Sequence, residues 1–342
     1  MNISQAIREL PKAELHIHLL GAIRPKTLLS LIQDENPDSD YRTLEDITRL
    51  FQFRTFRHFI LTYTEVVDYV TQEKHLEQIA FDMLEDCANC NTRYVEASFS
   101  AIDHIQRGLG YEKMLNAINR GIRRAKRRFG IECNIRIDLV RNEGPAGAMR
   151  ILDLIESKSD NVISVDIGGS EDLYPPKPFA KAFRRARRLG LHTVAHAGEA
   201  AGPESVWEAI KHLNIERVGH AVSAARDNRL LDYIKSKRIG IEACPISNVR
   251  TGAVKSLQEH PIREFYNRGL LVTLNSDDPT FFQTDLNNEY LQLNKRLGFS
   301  ILDLFQLSVN AIEVSFLSEK KKARMRDSFT KEAELIFDAV ET

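Results

Sequence analysis

The chain has 342 residues, with 47 Lys and Arg against 48 Asp and Glu and 43% hydrophobic residues. That length is enough to bury a large core, and the balanced charge argues against nucleic acid as the main partner. No run approaches the ~18 apolar residues of a membrane span, the N-terminus lacks a secretory apolar core, and the four cysteines are few and unpatterned, so a cytoplasmic protein that does not bind membranes is expected.

In chain order, Ile3 to Leu10 reads as a short helix stopped by Pro11. A strand, Ala13–Leu19, follows and carries His16 and His18; Gly21 ends it, and Pro25 opens a helix to about Ile32. Residues 33–70 are polar and then aromatic (Phe51, Phe53, Phe56, Phe59, Tyr63), which predicts a helical insertion whose aromatic face is core or the underside of a lid. A regular alternation then sets in. Helices are predicted over His75–Cys90, Tyr111–Phe129, Pro145–Ser157, Pro178–Leu189, Pro203–Leu213, Asp227–Ser236 and Pro261–Arg268. Each precedes a β-rich run: Thr92–Ser100, Glu132–Val140, Val162–Gly169, His192–Gly198, Arg217–Val222, Ile239–Pro245 and Leu270–Asp277. A helical region over Ile301–Val340 closes the chain. Eight β runs alternating with helices predict an α/β fold, a (β/α)8 TIM barrel over residues 1–342 with an insertion at 33–70 and extra C-terminal helices. The basic clusters Arg123–Arg128, Arg184–Arg188 and Lys320–Arg326 fit the solvated faces of outer helices. Cys87-Ala88-Asn89-Cys90 is a lone CxxC on a predicted helix, without the second pair that a zinc ribbon would need.

Barrel strands should be apolar, yet polar residues gather at the C-terminal ends of particular strands, where barrel active sites lie. Strand one carries His16 and His18, which share a face at i, i+2 spacing. Strand four ends with Gly168-Gly169, strand five with His196-Ala197-Gly198-Glu199, strand six carries His220, and strand eight ends with Asp277-Asp278. Any one of these has an ordinary structural explanation, but together, unpaired and buried, they would cost several kcal/mol each. Three histidines and an aspartate (His16, His18, His196 and Asp277) suit a divalent ion such as zinc, one per chain, with a position left for water whose pKa falls toward ~7. Glu199, past a flexible Gly198, is placed as a proton donor; His220 as a group that orients or deprotonates the water; Asp278 as a substrate contact. A metal-dependent hydrolase is the expectation that follows.

Five motifs in this order resemble the adenosine deaminase family of metal-dependent amidohydrolases: Pro11-Lys12-Ala13-Glu14-Leu15-His16-Ile17-His18-Leu19, His196-Ala197-Gly198-Glu199, Val218-Gly219-His220, Cys244-Pro245-Ile246-Ser247-Asn248 and Asn275-Ser276-Asp277-Asp278-Pro279. The resemblance covers roughly residues 9–335. It implies a (β/α)8 barrel, one zinc held by His16, His18, His196 and Asp277, and hydrolytic removal of the 6-amino group of a purine. Glu199 matches the residue that protonates purine N1, His220 the base and electrostatic partner of the nucleophile, Asp278 the acid at N7, and Gly169 the glycine whose backbone N–H contacts N3. The zinc ligand His18 also faces the substrate. One departure concerns the sugar: Leu20 stands where the adenosine-specific pattern has an acidic residue for the 5′-hydroxyl. Adenosine or 2′-deoxyadenosine is the expected substrate, with aminofutalosine, adenine and N6-substituted adenines as alternatives; Leu20 and the run Ser247-Asn248-Val249-Arg250-Thr251-Gly252 resemble the aminofutalosine branch. Ester or amide hydrolysis fits Glu199 and Asp278 less well than a protonatable ring does. A non-catalytic purine-binding or signalling barrel would have lost a ligand or an acid.

Overall fold

In the computed structural model, which describes residues 1–53 and 55–341 without the side chains of Phe56 and Glu341, eight strands form one sheet in the order in which they occur in the chain. They are β1 (Lys12–His18), β2 (Thr92–Phe99), β3 (Glu132–Asp138), β4 (Val162–Asp166), β5 (His192–Ala197), β6 (Arg217–His220), β7 (Gly240–Ala243) and β8 (Val272–Leu274). All seven neighbouring pairs are parallel. Parallel strands need crossover helices, whose apolar stripes cover the outer face of the sheet, while the strands' own side chains fill the inside. The sheet is therefore the TIM barrel expected from the alternation.

β8 is only three residues long, so the seam with β1 is closed by other means. The Leu15 N–H donates to Asn275 Oδ1 (2.9 Å), and Ser276 donates through N–H and Oγ to Glu14 Oε1 (2.8 and 2.5 Å). Asp277 N–H then donates to the His16 carbonyl (3.0 Å), and His18 N–H to the Asp277 carbonyl (2.8 Å). Two of the five sequence motifs are thus zipped to each other along the seam.

The barrel floor departs from the apolar expectation. Glu96, Arg136, Arg217 and Glu242, one each from β2, β3, β6 and β7, are fully buried and paired: Arg217 bridges Glu96 (2.5 Å) and Glu242 (2.6 Å), and Arg136 binds Glu242 (2.8 Å). Such charges persist in a core only when paired and hydrogen-bonded. Arg217 also donates to the Val314 carbonyl (2.9 Å), and Glu96 accepts the Phe316 N–H (2.7 Å). These bonds help to stop one helix and reset the chain, which explains why Ile301–Val340 is two helices, Ile301–Val314 and Glu319–Glu341, and not one.

A helix at Leu286–Leu297 was not expected; Asp285 caps its start and Gly298, at φ 67°, ends it. The insertion contains helices Leu44–Leu50 and Phe56–Asp68, and the second lies over the barrel mouth, where Phe59 packs on Phe282 (ring centroids 5.2 Å) and Tyr63 on Phe281 (5.7 Å). The aromatic face is thus both core and roof, although the Phe56 side chain, expected on it, lies outside the described residues. Cys87 and Cys90 are buried free thiols at the end of helix Glu73–Asn89, where burial pushes both up. No helix among the described residues is long and apolar enough to cross a membrane.

Candidate metal centre and catalytic cavity

The alternation of β1 sends His16 and His18 to one side, with ring centroids 5.4 Å apart. His196 from β5 joins them, 4.5 Å from the His16 ring and 5.4 Å from the His18 ring. Asp277 completes the set: its Oδ1 lies 3.3 Å from Nε2 of both His16 and His18. One ligand atom from each of the four falls within 4.8 Å of the others. Asp277 reaches this point because its backbone is held at φ 64°, a left-handed conformation that aspartate tolerates better than most residues.

Each imidazole is backed by its own carboxylate. His16 Nδ1 donates to Glu242 (2.8 Å), His196 Nδ1 lies 3.1 Å from Asp166, and His18 Nδ1 lies 3.7 Å from Asp138. Ser247 Oγ donates to the outer oxygen of Asp277 (2.6 Å). The Glu242 hydrogen bond fixes the His16 ring and its tautomer and turns its Nε2 lone pair inward. The His16 Nε2 is buried and has no hydrogen-bond partner among the described residues. Burial alone would lower His16, but the adjoining Asp277 and Glu242 carboxylates outweigh it and raise His16 to about 9, while His16 and His18 hold Asp277 well below the carboxylate range despite its burial. The cluster favours positive charge, and three nitrogens and one oxygen suit a divalent ion such as zinc. A second grouping, His220, Cys244 and Asp277, is weaker: burial pushes the Cys244 thiol well up, and a protonated thiol is a poor ligand.

Above the cluster is a cavity of about 340 Å³. Its lining includes His18, His196, Glu199, His220, Asp277 and Asp278, and also Gly169. Glu199 Oε1 accepts from Thr251 Oγ1 (3.0 Å) and Asn248 Nδ2 (3.3 Å), and Oε2 lies 3.6 Å from His220 Nε2. Burial, with the Asp277 charge, pushes Glu199 up to about 7, which brings its acid form within reach near neutrality. His220 sits at φ 63°, and burial pushes it down to about 4. Burial and then the Asp277 charge push Asp278 well up, which favours its acid form. Gly169 has φ 99°, and a Cβ there would meet Asn142 Oδ1 at 2.5 Å. Leu20, by contrast, is 4% exposed within the turn Leu20–Ala22 and packs in the main core; the structure does not bring it to the cavity wall.

Sequence reasoning missed several residues of this site. Glu242 and Asp138 are mid-sheet or strand-end acids, and the signal was their charge within otherwise apolar strands. Glu171 is another: its carboxylate accepts N–H bonds from Gly198 (2.5 Å), Glu199 (3.0 Å) and Ala200 (2.8 Å), and so holds the loop that presents Glu199. Nothing local marks it, because it lies on the loop after β4.

The sequence model of the family described as adenosine deaminase matches residues 11–332. An aminodeoxyfutalosine deaminase from Streptomyces avermitilis is 36% identical over 323 residues, which cover 93% of this chain and 90% of that protein. An adenosine deaminase from Salmonella typhimurium is 34% identical over 326 residues, covering 93% and 97%. Among solved structures, an adenine deaminase from Arthrobacter aurescens superposes with a TM-score of 0.92 at 27% identity, covering 95% of this chain and 99% of that one. An amidohydrolase from Burkhoderia ambifaria, with bound Zn, gives 0.92 at 28% identity, covering 100% and 96%. With a barrel that matches, a family model that spans nearly the whole sequence and relatives above 30% identity along their length, the chain belongs to the adenosine deaminase family of hydrolytic deaminases.

Proposed function

We propose that this protein is a zinc-dependent deaminase of a 6-aminopurine nucleoside, which adds water at C6 of adenosine or 2′-deoxyadenosine and releases ammonia and the inosine product. The observation that carries this reading is a buried Glu199 facing His220 above a three-histidine, one-aspartate cluster, where burial favours its acid form. An ester or amide needs no ring-protonating acid, whereas a purine must be protonated at N1 before C6 becomes electrophilic.

His16, His18, His196 and Asp277 would hold one zinc ion, a fit supported by the unpartnered His16 Nε2 and by the carboxylate behind each ring. When bound, the ion acidifies water and so supplies the nucleophile. Glu199 donates its proton to ring N1, steadied by Thr251 and Asn248. Asp278, whose acid form burial favours, hydrogen-bonds N7. Gly169 leaves room for its backbone N–H to meet N3, and His18 forms part of the wall beside the ring.

The cavity also bears on the substrate's far end. Asp103, Asp138 and Glu143 line it together with the site acids, and among the described lining residues Arg107 is the one permanent cation, already paired with Asp68 (2.5 Å). A phosphate would meet repulsion there, so an unphosphorylated substrate is favoured. A second reading, aminodeoxyfutalosine, is favoured by the 36% identical relative of that name and by an apolar wall of Phe59, Ile60, Val67 and Phe282. The test is ammonia release by zinc-loaded protein from adenosine, 2′-deoxyadenosine, adenine, aminodeoxyfutalosine and AMP. Turnover of a nucleoside but not AMP is expected; no turnover on any of them refutes the proposal.

A further inference from the structure

A line of hydrogen bonds outside the cavity ends on His220. It starts at the Ile262 N–H, which donates to His260 Nδ1 (3.1 Å). A backbone N–H can only donate, so Nδ1 of His260 is an acceptor. His260 is buried, and burial, with His220 nearby, pushes it down to about 3, which leaves a neutral ring whose one proton is on Nε2. That Nε2 lies 3.1 Å from Asn248 Oδ1, the end of the amide able to accept. The other end, Asn248 Nδ2, lies 3.1 Å from His220 Nδ1 and 3.3 Å from Glu199 Oε1, one N–H for each. Turning the amide over would set its NH2 against the proton on His260. Nδ1 of His220 is therefore an acceptor, and the proton of the neutral ring sits on Nε2, the atom on the cavity side, 3.9 Å from Asp277 Oδ2.

We propose that His260, acting through Asn248, is a positioning residue that fixes His220 as its Nε2–H tautomer, so that His220 meets the nucleophile as a hydrogen-bond donor and not as a base. Neither His260 nor Asn248 is part of the cavity wall, so neither touches substrate. With the line intact, Nε2 has no lone pair to receive a proton from the incoming water. This refines the role of His220 and rests on the reading of the cavity as a deaminase site.

The tautomer is measured in the zinc-loaded protein labelled with 15N-histidine, by long-range proton–nitrogen correlation, with His220 assigned from the signals lost in His220→Asn. A protonated Nε2 and bare Nδ1 are expected; a protonated Nδ1 overturns the proposal whether or not any substrate turns over, which separates its failure from that of the deaminase reading. His260→Leu, which removes the donor, should lower kcat roughly 10- to 100-fold with KM and zinc content unchanged and should mix the His220 tautomers. His260→Gln, which keeps an N–H aimed at Asn248, should recover most of the loss. If both variants lose activity equally while the His220 signals stay as in the wild type, the proposal is wrong. Should His260→Leu fail to fold, the wild-type spectrum and His260→Gln decide the matter.

Discussion

Gly21 follows the His-bearing strand and lies in the turn Leu20–Ala22. Its backbone is not in the left-handed region, so alanine is not excluded by conformation. The obstacle is space: a Cβ on Gly21 would lie 1.9 Å from Asp278 Oδ1, 2.6 Å from Cγ and 2.7 Å from Cα. Rotating the Asp278 side chain relieves the first two contacts but not the third. Carbon atoms in contact sit about 3.5 Å apart, so the backbone at Asp278 must retreat by roughly 0.8 Å. It cannot retreat alone, because the preceding Asp277 is bonded to β1 at both His16 and His18. The displacement is therefore passed to the candidate metal ligand and to the acid assigned to N7. A misplacement near 1 Å costs on the order of 100-fold in rate, and overpacking of this kind about 1–3 kcal/mol in stability. Gly21→Ala is thus expected to lose about 100-fold in kcat/KM on the turned-over nucleoside and to show weaker zinc retention, with a modestly lower midpoint in urea. Gly110→Ala is the control, since the nearest atom to its Cβ would be a Lys113 side-chain carbon at 4.0 Å. A Gly21→Ala protein within about threefold of wild-type kcat/KM would refute the reasoning, by showing that Asp277 and Asp278 are not held as a unit.

Glu199→Gln should lower kcat by roughly 10²–10⁴ while zinc stays bound, and an active variant would remove Glu199 from the acid role. Burial raises Glu199 to about 7, so the acid form is present below that value and lost as pH rises through it. A bound dication pulls the value down, so kcat/KM should fall along a basic limb centred at or below about pH 7, and a rate that keeps climbing to higher pH contradicts the assignment. Zinc that binds the folded chain alone should stabilise it by about 2.7 kcal/mol at a free concentration 100 times Kd, so chelation should lower the melting temperature of the wild type but not of His16→Asn. Lys12, buried at the opposite end of β1, donates to the carbonyls of Ile7 (2.9 Å), Leu10 (2.7 Å) and Cys90 (3.2 Å). Lys12→Met leaves those acceptors bare and should cost about 1–3 kcal/mol in denaturant unfolding with kcat unchanged.

The eight-strand rhythm was legible because buried parallel strands and amphipathic crossover helices leave distinct apolar periods, and seven of the eight strands begin within one residue of their expected start; β8, expected from Leu270, begins at Val272. The four candidate ligands were legible because histidine and aspartate at strand ends have few other reasons to be there, and the structure brings them within 4.8 Å of one another. The helix at Leu286–Leu297 was missed although Asp285 and Gly298 punctuate it, and the helix break after Val314 was invisible because the groups bonded there, Glu96 and Arg217, lie far away in sequence. The same holds for Leu20: adjacency to the His motif suggested the cavity, but the turn at Leu20–Ala22 folds it into the core.

Local pattern by itself therefore determined the architecture and the family and pointed to the candidate metal-binding and acid residues, since periodicity and ligand chemistry are properties of short segments. Tertiary structure alone decided what stands behind those residues. Glu242 on His16, Glu171 beneath Glu199, Asn275 and Asp277 across the seam and His260 behind His220 are pairings between strands and loops far apart in the chain. No segment encodes such a pairing, because it exists only once the sheet has closed and buried polar groups must find partners within reach.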